Sequence, residues 1–497
     1  MDLSLRHVML MSRTQTQAGS GVPKFALDVW ETVEEGLNEV VKNIVWVEDF
    51  YEEVDTVEIH AQSLNVGRPI DPDKCLSKLF VLPEIQKDDG GVEIQFLITI
   101  AHQIADGLSI LNWFGDFLRI LNQPEDAIRR EIEFGMGVDN LRKRLPPAQE
   151  DLYPKIQGSA ARQRWVWAIA RVLRYVRRPL PSIINPLFRE QRLPSALIPP
   201  PVFNKIFDYS DAVAPPINTG YVTAVLSPTA SAKTISLCRS INVSVGAGCF
   251  ALAGLVMMKI YEERYPDIPI EKRLPVTATF PVNLRALFDV NLPPDSCMLM
   301  GVTAGIVLNY VPSSLPLEAR FRLVAKQANR GLRMYQKRLN GLKMSDGSLD
   351  SLVTGQIFAT AYLTQIERAN ALLPEQQKWG IGPQGKLAPR ALQSIATCMV
   401  SSPGPMGVFL APDRYDLETV GIRDTEGTIK DFAADFRDIR VGVRSKKDHF
   451  AIGTVTDQRG TVGFGVSYDA NAISEMAADR WKDAIEGLLE HGGKAKL

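Results

Sequence analysis

In a chain of 497 residues with five histidines, His102 is followed four places on by Asp106 and then by Gly107, in the run Ala101-His102-Gln103-Ile104-Ala105-Asp106-Gly107. Imidazole is the side chain whose ordinary titration lies closest to neutrality, so a histidine held rigidly at the end of a strand can take a proton and give it back. An aspartate four residues later, turning back at a glycine, props the loop more naturally than it shares that proton. If it is buried, it needs a cationic partner. The plain alternative is a core histidine closed by an ordinary Asp-Gly turn.

The surrounding pattern supplies the elements that would hold this loop. From Gly91 to Ala101 the residues Val92, Ile94, Phe96, Ile98 and Ile100 alternate, which predicts a strand over 91–101. Beyond Gly107 the period changes. Ile110, Trp113, Phe114, Phe117, Leu118 and Leu121 recur at helical spacing, so His102 stands between a strand and a helix. Further strands are expected at 221–226, 276–282, 302–310 and 395–401, with helices over 244–263, capped by Ser244, and over 317–338. Alternation at 439–443, 450–456 and 462–468 predicts an antiparallel meander, closed by an amphipathic helix over 473–489. Prolines crowd the stretch from Pro179 to Pro216, which blocks helix and sheet alike. The organisation that follows is an N-terminal half, 1–200, carrying the histidine motif, a proline-rich crossover, 201–220, and a C-terminal half, 221–497.

His102, Asp106 and Gly107 match the HxxxDG element of the chloramphenicol acetyltransferase-like superfamily, which the chain resembles. That superfamily includes plant BAHD acyltransferases, fungal alcohol and trichothecene O-acetyltransferases, and nonribosomal peptide condensation domains. The run Pro281-Val282-Asn283-Leu284-Arg285, then Leu292-Pro293-Pro294 and Gly301, looks like the family's Val-Asn-x-Arg segment. There an arginine pairs with the motif aspartate, which implies that Arg285 clamps Asp106. Gly463-Phe464-Gly465-Val466-Ser467-Tyr468-Asp469 is similar to the family's closing strand. Two departures narrow the comparison. Condensation domains usually carry a second histidine where this chain has Ala101, and the Asp-Phe-Gly-Trp-Gly element of plant enzymes is absent. A fungal-type O-acetyltransferase is the nearest match.

The resemblance implies an α+β fold of two pseudo-symmetric halves, each a mixed β-sheet flanked by helices, with His102 midway along a central tunnel. It also implies an acyltransferase with His102 as general base. The acyl group would pass from a thioester, on coenzyme A or a carrier protein, to a hydroxyl of a small secondary-metabolite acceptor, with no permanently bound cofactor and no metal. Ser401 and Ser402, at a strand end ahead of Gly404 and Gly407, are candidate oxyanion donors, or else they merely open a Ser-Ser-Pro-Gly turn. Two other functions fit the same residues. One is an enzyme of this fold using His102 for cyclisation or condensation of an activated polyketide. The other is a scaffold that keeps the fold without the chemistry, against which stand the intact His102 and Asp106.

Composition sets the outer bounds. Lys plus Arg number 56 and Asp plus Glu 57, a net charge of −1, which disfavours a nucleic-acid partner. With 45% hydrophobic and 23% charged residues the chain has the makeup of a globular protein. Cysteines 75, 238, 249, 297 and 398 form no CxxC pair, so neither a zinc ribbon nor a disulfide scaffold is expected, and Cys249 and Cys398 read as core thiols. Gly246-Ala247-Gly248-Cys249-Phe250-Ala251 matches a dinucleotide fingerprint without the acidic partner downstream, so close helix packing is the better reading. The apolar run Val245 to Met258 is too short for a bilayer and predicts a buried helix. Arg162 to Arg178, with six arginines among aromatic residues, predicts a basic helix packed on the protein or resting on a membrane surface. The ending Ala495-Lys496-Leu497 is close to a peroxisomal address, so the expected location is cytoplasmic or peroxisomal. A monomer is expected.

Overall fold

A computed structural model describes residues 1–16, 23–88, 90–152, 181–194, 200–210, 218–285, 292–296, 300–303, 305–340, 396–410, 432–457 and 459–490, with scattered positions between. The N-terminal half begins with α1 (Asp2–Arg6), the hairpin β1 (Ser12–Thr16) and β2 (Pro23–Leu27), then α2 (Val33–Val41), β3 (Ile44–Trp46), α3 (Thr56–Asn65) and β4 (Ser77–Val81). A small ribbon of β5 (Ile85–Gln86) and β6 (Val92–Glu93) precedes β7 (Phe96–Ile100), which leads into α4 (Gly107–Leu121). Helices α5 (Glu125–Gly135), α6 (Val138–Arg144) and α7 (Gln149–Leu152) follow. The sheet runs β3-β4-β7, parallel then antiparallel.

The strand expected over 91–101 is therefore two strands in two sheets. Val92 and Ile94 are exposed, so their alternation marks no buried face, and the chain leaves the ribbon at Ile94 before Gln95 accepts a hydrogen bond from Leu82 N at 3.0 Å. Only Phe96 to Ile100 joins the sheet that ends at His102.

In the C-terminal half the elements are β8 (Thr219–Val225), α8 (Pro228–Ser240), α9 (Val245–Arg264), β9 (Val276–Thr279), β10 (Pro281–Asn283), β11 (Met300–Val302), β12 (Ile306–Leu308), α10 (Leu317–Asn340), β13 (Cys398–Ser401), β14 (Phe450–Thr456), β15 (Val462–Asp469) and α11 (Glu475–Glu486). Six strands form one mixed sheet, β12-β9-β13-β14-β15-β8, in which β13 is parallel to both neighbours. The strands expected over 276–282 and 302–310 each break in two. At the break Thr303 Oγ1 accepts from Phe280 N at 3.3 Å and donates to Phe280 O at 3.0 Å. Gly305, at φ +93°, passes so close to the Ala278 carbonyl that a Cβ would stand 2.8 Å from its oxygen. The outer pieces, β10 and β11, pair as a separate ribbon that carries the chain to Arg285.

Helix α9 is the centre of the core. Ser244 caps it, accepting from Ala247 N at 3.1 Å, and buried residues run along all its faces. It is long and apolar enough to cross a membrane, yet 78% of its most apolar window is buried inside the protein. The glycines at its start serve packing, since a Cβ on Gly248 would meet Cys238 Sγ at 2.5 Å. Burial raises Cys249 and Cys398 to about 12, which leaves them inert thiols; Cys297 lies outside the described residues.

The meander expected at the C-terminus is only a hairpin of β14 and β15. Residues 439–443 form no strand; their polar groups bond elsewhere, with Val443 N on Ser467 Oγ at 3.0 Å. They belong to a strap across the halves. Asn122 and Ala434 exchange hydrogen bonds of 2.7 and 2.9 Å, Arg444 Nη2 donates to Val66 O at 2.7 Å, and Ile439 packs on a cluster containing Leu111 of α4. The proline-rich stretch also touches both sides. Ile183 N donates to Pro275 O at 2.9 Å and Arg189 N to Ala472 O at 2.7 Å, while Phe203 and Phe207 pack with Phe80 and Val47 of the N-terminal half. Most of the basic stretch 162–178, and the ending 495–497, lie outside the described residues.

Candidate active site

The loop after β7 is held from below by apolar residues. Ala101 N donates to Leu76 O at 2.8 Å, and Ile104 and Ala105 are buried with Leu76, Met9 and Trp113. His102 itself is exposed. Its Nδ1 lies 2.8 Å from Ala105 O. A carbonyl only accepts, so Nδ1 carries the hydrogen, and the lone pair of Nε2 is left as the ring's basic site. One short loop thus sets both the direction and the tautomer of the imidazole.

Asp106 divides its two oxygens between two tasks. Oδ1 caps α4, accepting from Leu108 N and Ser109 N at 3.0 Å each, and Ser109 Oγ accepts from Asp106 N at 2.8 Å in return, which completes a capping box. Oδ2 accepts from Arg285 Nη1 at 2.9 Å. Every nitrogen of Arg285 is engaged in turn. Its Nε donates to Ser296 Oγ at 3.0 Å, Nη2 to Ser296 O at 2.6 Å, and Nη1 also reaches Asn283 Oδ1 at 3.3 Å. A buried ion pair overcomes its desolvation cost only when its remaining hydrogen-bonding groups are satisfied, as these are.

Two further contacts extend this junction along α4. Trp113 Nε1 donates to Asp295 O at 2.8 Å, and Asp116 Oδ2 lies 2.9 Å from His7 Nε2. The hydrogen bond with His7 holds the Asp116 carboxyl below the usual carboxylate range. Residues 106, 109, 113 and 116 are spaced three, four and three apart, one stripe of a helix. The sequence reading did not pick out Ser296, Asp295, Asp116 or His7 for this junction. The helical stripe was a usable signal for Asp116, whereas nothing local marks partners that arrive from distant segments.

Gly107, the last residue of the motif, has ordinary φ, and a Cβ there would meet nothing within 4 Å. Ser401 ends β13, in register with Gly453, and Ser402 lies at the start of α9, where a Cβ on Gly246 would stand 3.1 Å from its Oγ. Among the described residues no hydrogen bond joins either serine to the loop 102–107.

No protein-family model and no curated protein sequence matches the chain. Among solved structures, the trichothecene 15-O-acetyltransferase of Fusarium sporotrichioides is similar at 12% identity and a TM-score of 0.61, over 98% of this chain and 84% of that one. The first condensation domain of the calcium-dependent antibiotic synthetase, determined with a substrate analogue, is similar at 12% identity and a TM-score of 0.51, over 100% of this chain and 87% of that one. At such identities the likeness is one of fold.

Proposed function

We propose that this chain, whose two-lobed α+β fold is that of the chloramphenicol acetyltransferase-like superfamily, is an O-acyltransferase with His102 as its general base. The observation that carries the reading is the imidazole itself: exposed, fixed by Nδ1 on the Ala105 carbonyl, and rooted in a loop tied to the other half through Asp106 and Arg285. Nε2 removes the proton from an acceptor hydroxyl as the oxygen attacks the carbonyl of a thioester. A tetrahedral oxyanion forms, for which Ser401 and Ser402 are the proposed donors. Its collapse breaks the carbon–sulfur bond, the imidazolium returns its proton to the departing thiolate, and ester and thiol leave. Both substrates would meet at His102 in a tunnel between the halves, so proximity supplies much of the rate and no acyl-enzyme is required.

Coenzyme A or a carrier-protein arm is the proposed source of the thioester, a small secondary-metabolite alcohol the acceptor, and the protein is proposed to work as a monomer. No resident cofactor or metal takes part in this scheme. Acyl transfer is favoured over peptide-bond formation by Ala101, which leaves a single histidine in the loop. Incubation with radiolabelled acetyl-CoA and a panel of alcohols tests the reading. Label should enter an ester with the native protein, and His102→Ala should lower the rate by roughly 100-fold to 10,000-fold. Unchanged turnover in that variant removes His102 from the chemistry. Conversion of an activated polyketide without incorporation of label would instead support cyclisation or condensation.

A further inference from the structure

His7 ends α1 with only 7% of its surface exposed, and both of its ring nitrogens face carboxylates. Nε2 is 2.9 Å from Asp116 Oδ2 on α4, and Nδ1 is 3.8 Å from Asp295 Oδ2, which comes from the C-terminal half. The ring also lies 5.3 Å from the ring of Trp113, whose own N–H is on the Asp295 carbonyl. Asp295 is therefore held by a hydrogen bond at its carbonyl and faced by His7 at its carboxylate, and the next residue, Ser296, takes two of the donors of Arg285. The other charges around this point are engaged with one another. Arg119 Nε and Nη2 lie 3.2 and 3.1 Å from Asp116 Oδ1, Asp2 pairs with Arg6 at 3.0 Å, and Arg6 reaches Glu131 of α5 at 3.0 Å.

We propose that His7 is a positioning residue for the acyl transfer proposed above: a buried ring set between one carboxylate of each half and against Trp113, it seats residues 292–296 on α4 and so keeps Arg285 on Asp106 beneath the His102 loop. The geometry of the ring makes the link two-armed. Nε2 stands at hydrogen-bond distance from Asp116, and Nδ1 faces Asp295 at the longer distance of an ion-pair contact. A charge contact beside a buried ring is screened less than one on the open surface, so losing either arm should loosen the segment that the arm holds. The inference rests on the reading of His102 as base only for its effect on turnover. The clamp itself is a statement about the junction.

The test compares the native protein with His7→Gln and with Asp295→Asn, which keeps the shape of a partly exposed side chain and removes its charge. Hydrogen–deuterium exchange is followed at residues 292–296 and 106–109, alongside kcat and KM. Both variants should exchange faster at these two places, His7→Gln the more strongly because it alone disturbs the 2.9 Å bond to Asp116, while Asp295→Asn removes only a partly exposed charge contact. kcat should fall while KM holds, since the base is displaced and the substrate surfaces are not. Unchanged exchange at both places in both variants overturns the proposal. So does a rise in native melting temperature on adding zinc that disappears in His7→Gln, because the three side chains would then be cation ligands. If exchange responds as stated while the native protein transfers no acyl group, the clamp stands and the reading of His102 fails.

Discussion

Arg285 meets Asp106 across the junction of the two halves, Nη1 at 2.9 Å from Oδ2, with each side chain about nineteen-twentieths buried. Truncating one partner strands the other charge away from water. Arg285→Ala should therefore cost about 3 to 5 kcal/mol of stability, read from urea denaturation. Asp106→Asn combined with Arg285→Met should cost less than Arg285→Met alone, because no uncompensated carboxylate remains. Equal or additive losses would show that the pair does not interact in the way its geometry indicates.

The loop also fixes a chemical state that can be observed directly. With Nδ1 donating to the Ala105 carbonyl at 2.8 Å, neutral His102 should carry its hydrogen on Nδ1. Nitrogen-15 chemical shifts of labelled histidine, assigned by loss of the signal in His102→Ala, distinguish the two neutral forms. A ring protonated on Nε2 would place the lone pair toward the carbonyl and leave no base facing the substrates.

How far the sequence could be read depended on where the determining contacts lie. The strand, loop and helix around His102 were legible because their periods are local, and so was the cap of α9, whose serine and helix are adjacent. The break between Ile94 and Phe96 was not, since alternation says which residues share a face and nothing about whether that face is covered. For the same reason 439–443 read as a strand: Ile439 packs on Leu111 and Arg444 bonds to Val66, three hundred residues away and more, where a sheet ladder had been expected. Pairing of Asp106 with Arg285 came from family resemblance; the serine and aspartate that complete it, Ser296 and Asp295, carry no local mark.

Two histidines outside the site should govern stability near neutrality. Burial lowers His60 below its ordinary 6.5, helped by the nearby Arg440, and burial lowers His449 likewise, with Lys446 adding to it. The folded protein thus prefers both rings neutral, and the unfolded chain binds more protons just below 6.5. Stability is then complete above that value and is lost as pH falls toward the lowered folded pKa. Urea midpoints at about pH 7.5 and about 5.5 should differ in the native protein, and His60→Gln should shrink the difference. An equal difference in that variant would assign the pH dependence to other groups.

Gly107 separates a structural from a chemical requirement. At Gly248 the fold needs a glycine for room: Gly248→Ala would drive a methyl to within 2.5 Å of Cys238 Sγ and should cost about 1 to 3 kcal/mol. Gly107 lacks any such neighbour within 4 Å, its φ is ordinary, and it stands in the first turn of α4, where alanine is a better helix former. Gly107→Ala should accordingly leave the urea midpoint unchanged or slightly raised. If the space above it is where the acceptor approaches His102, the same variant should raise KM for the alcohol more than KM for the thioester. A stable variant with unaltered kinetics would mean that the open side of Gly107 faces solvent alone, and the approach of the acceptor would have to be sought on another side of the imidazole.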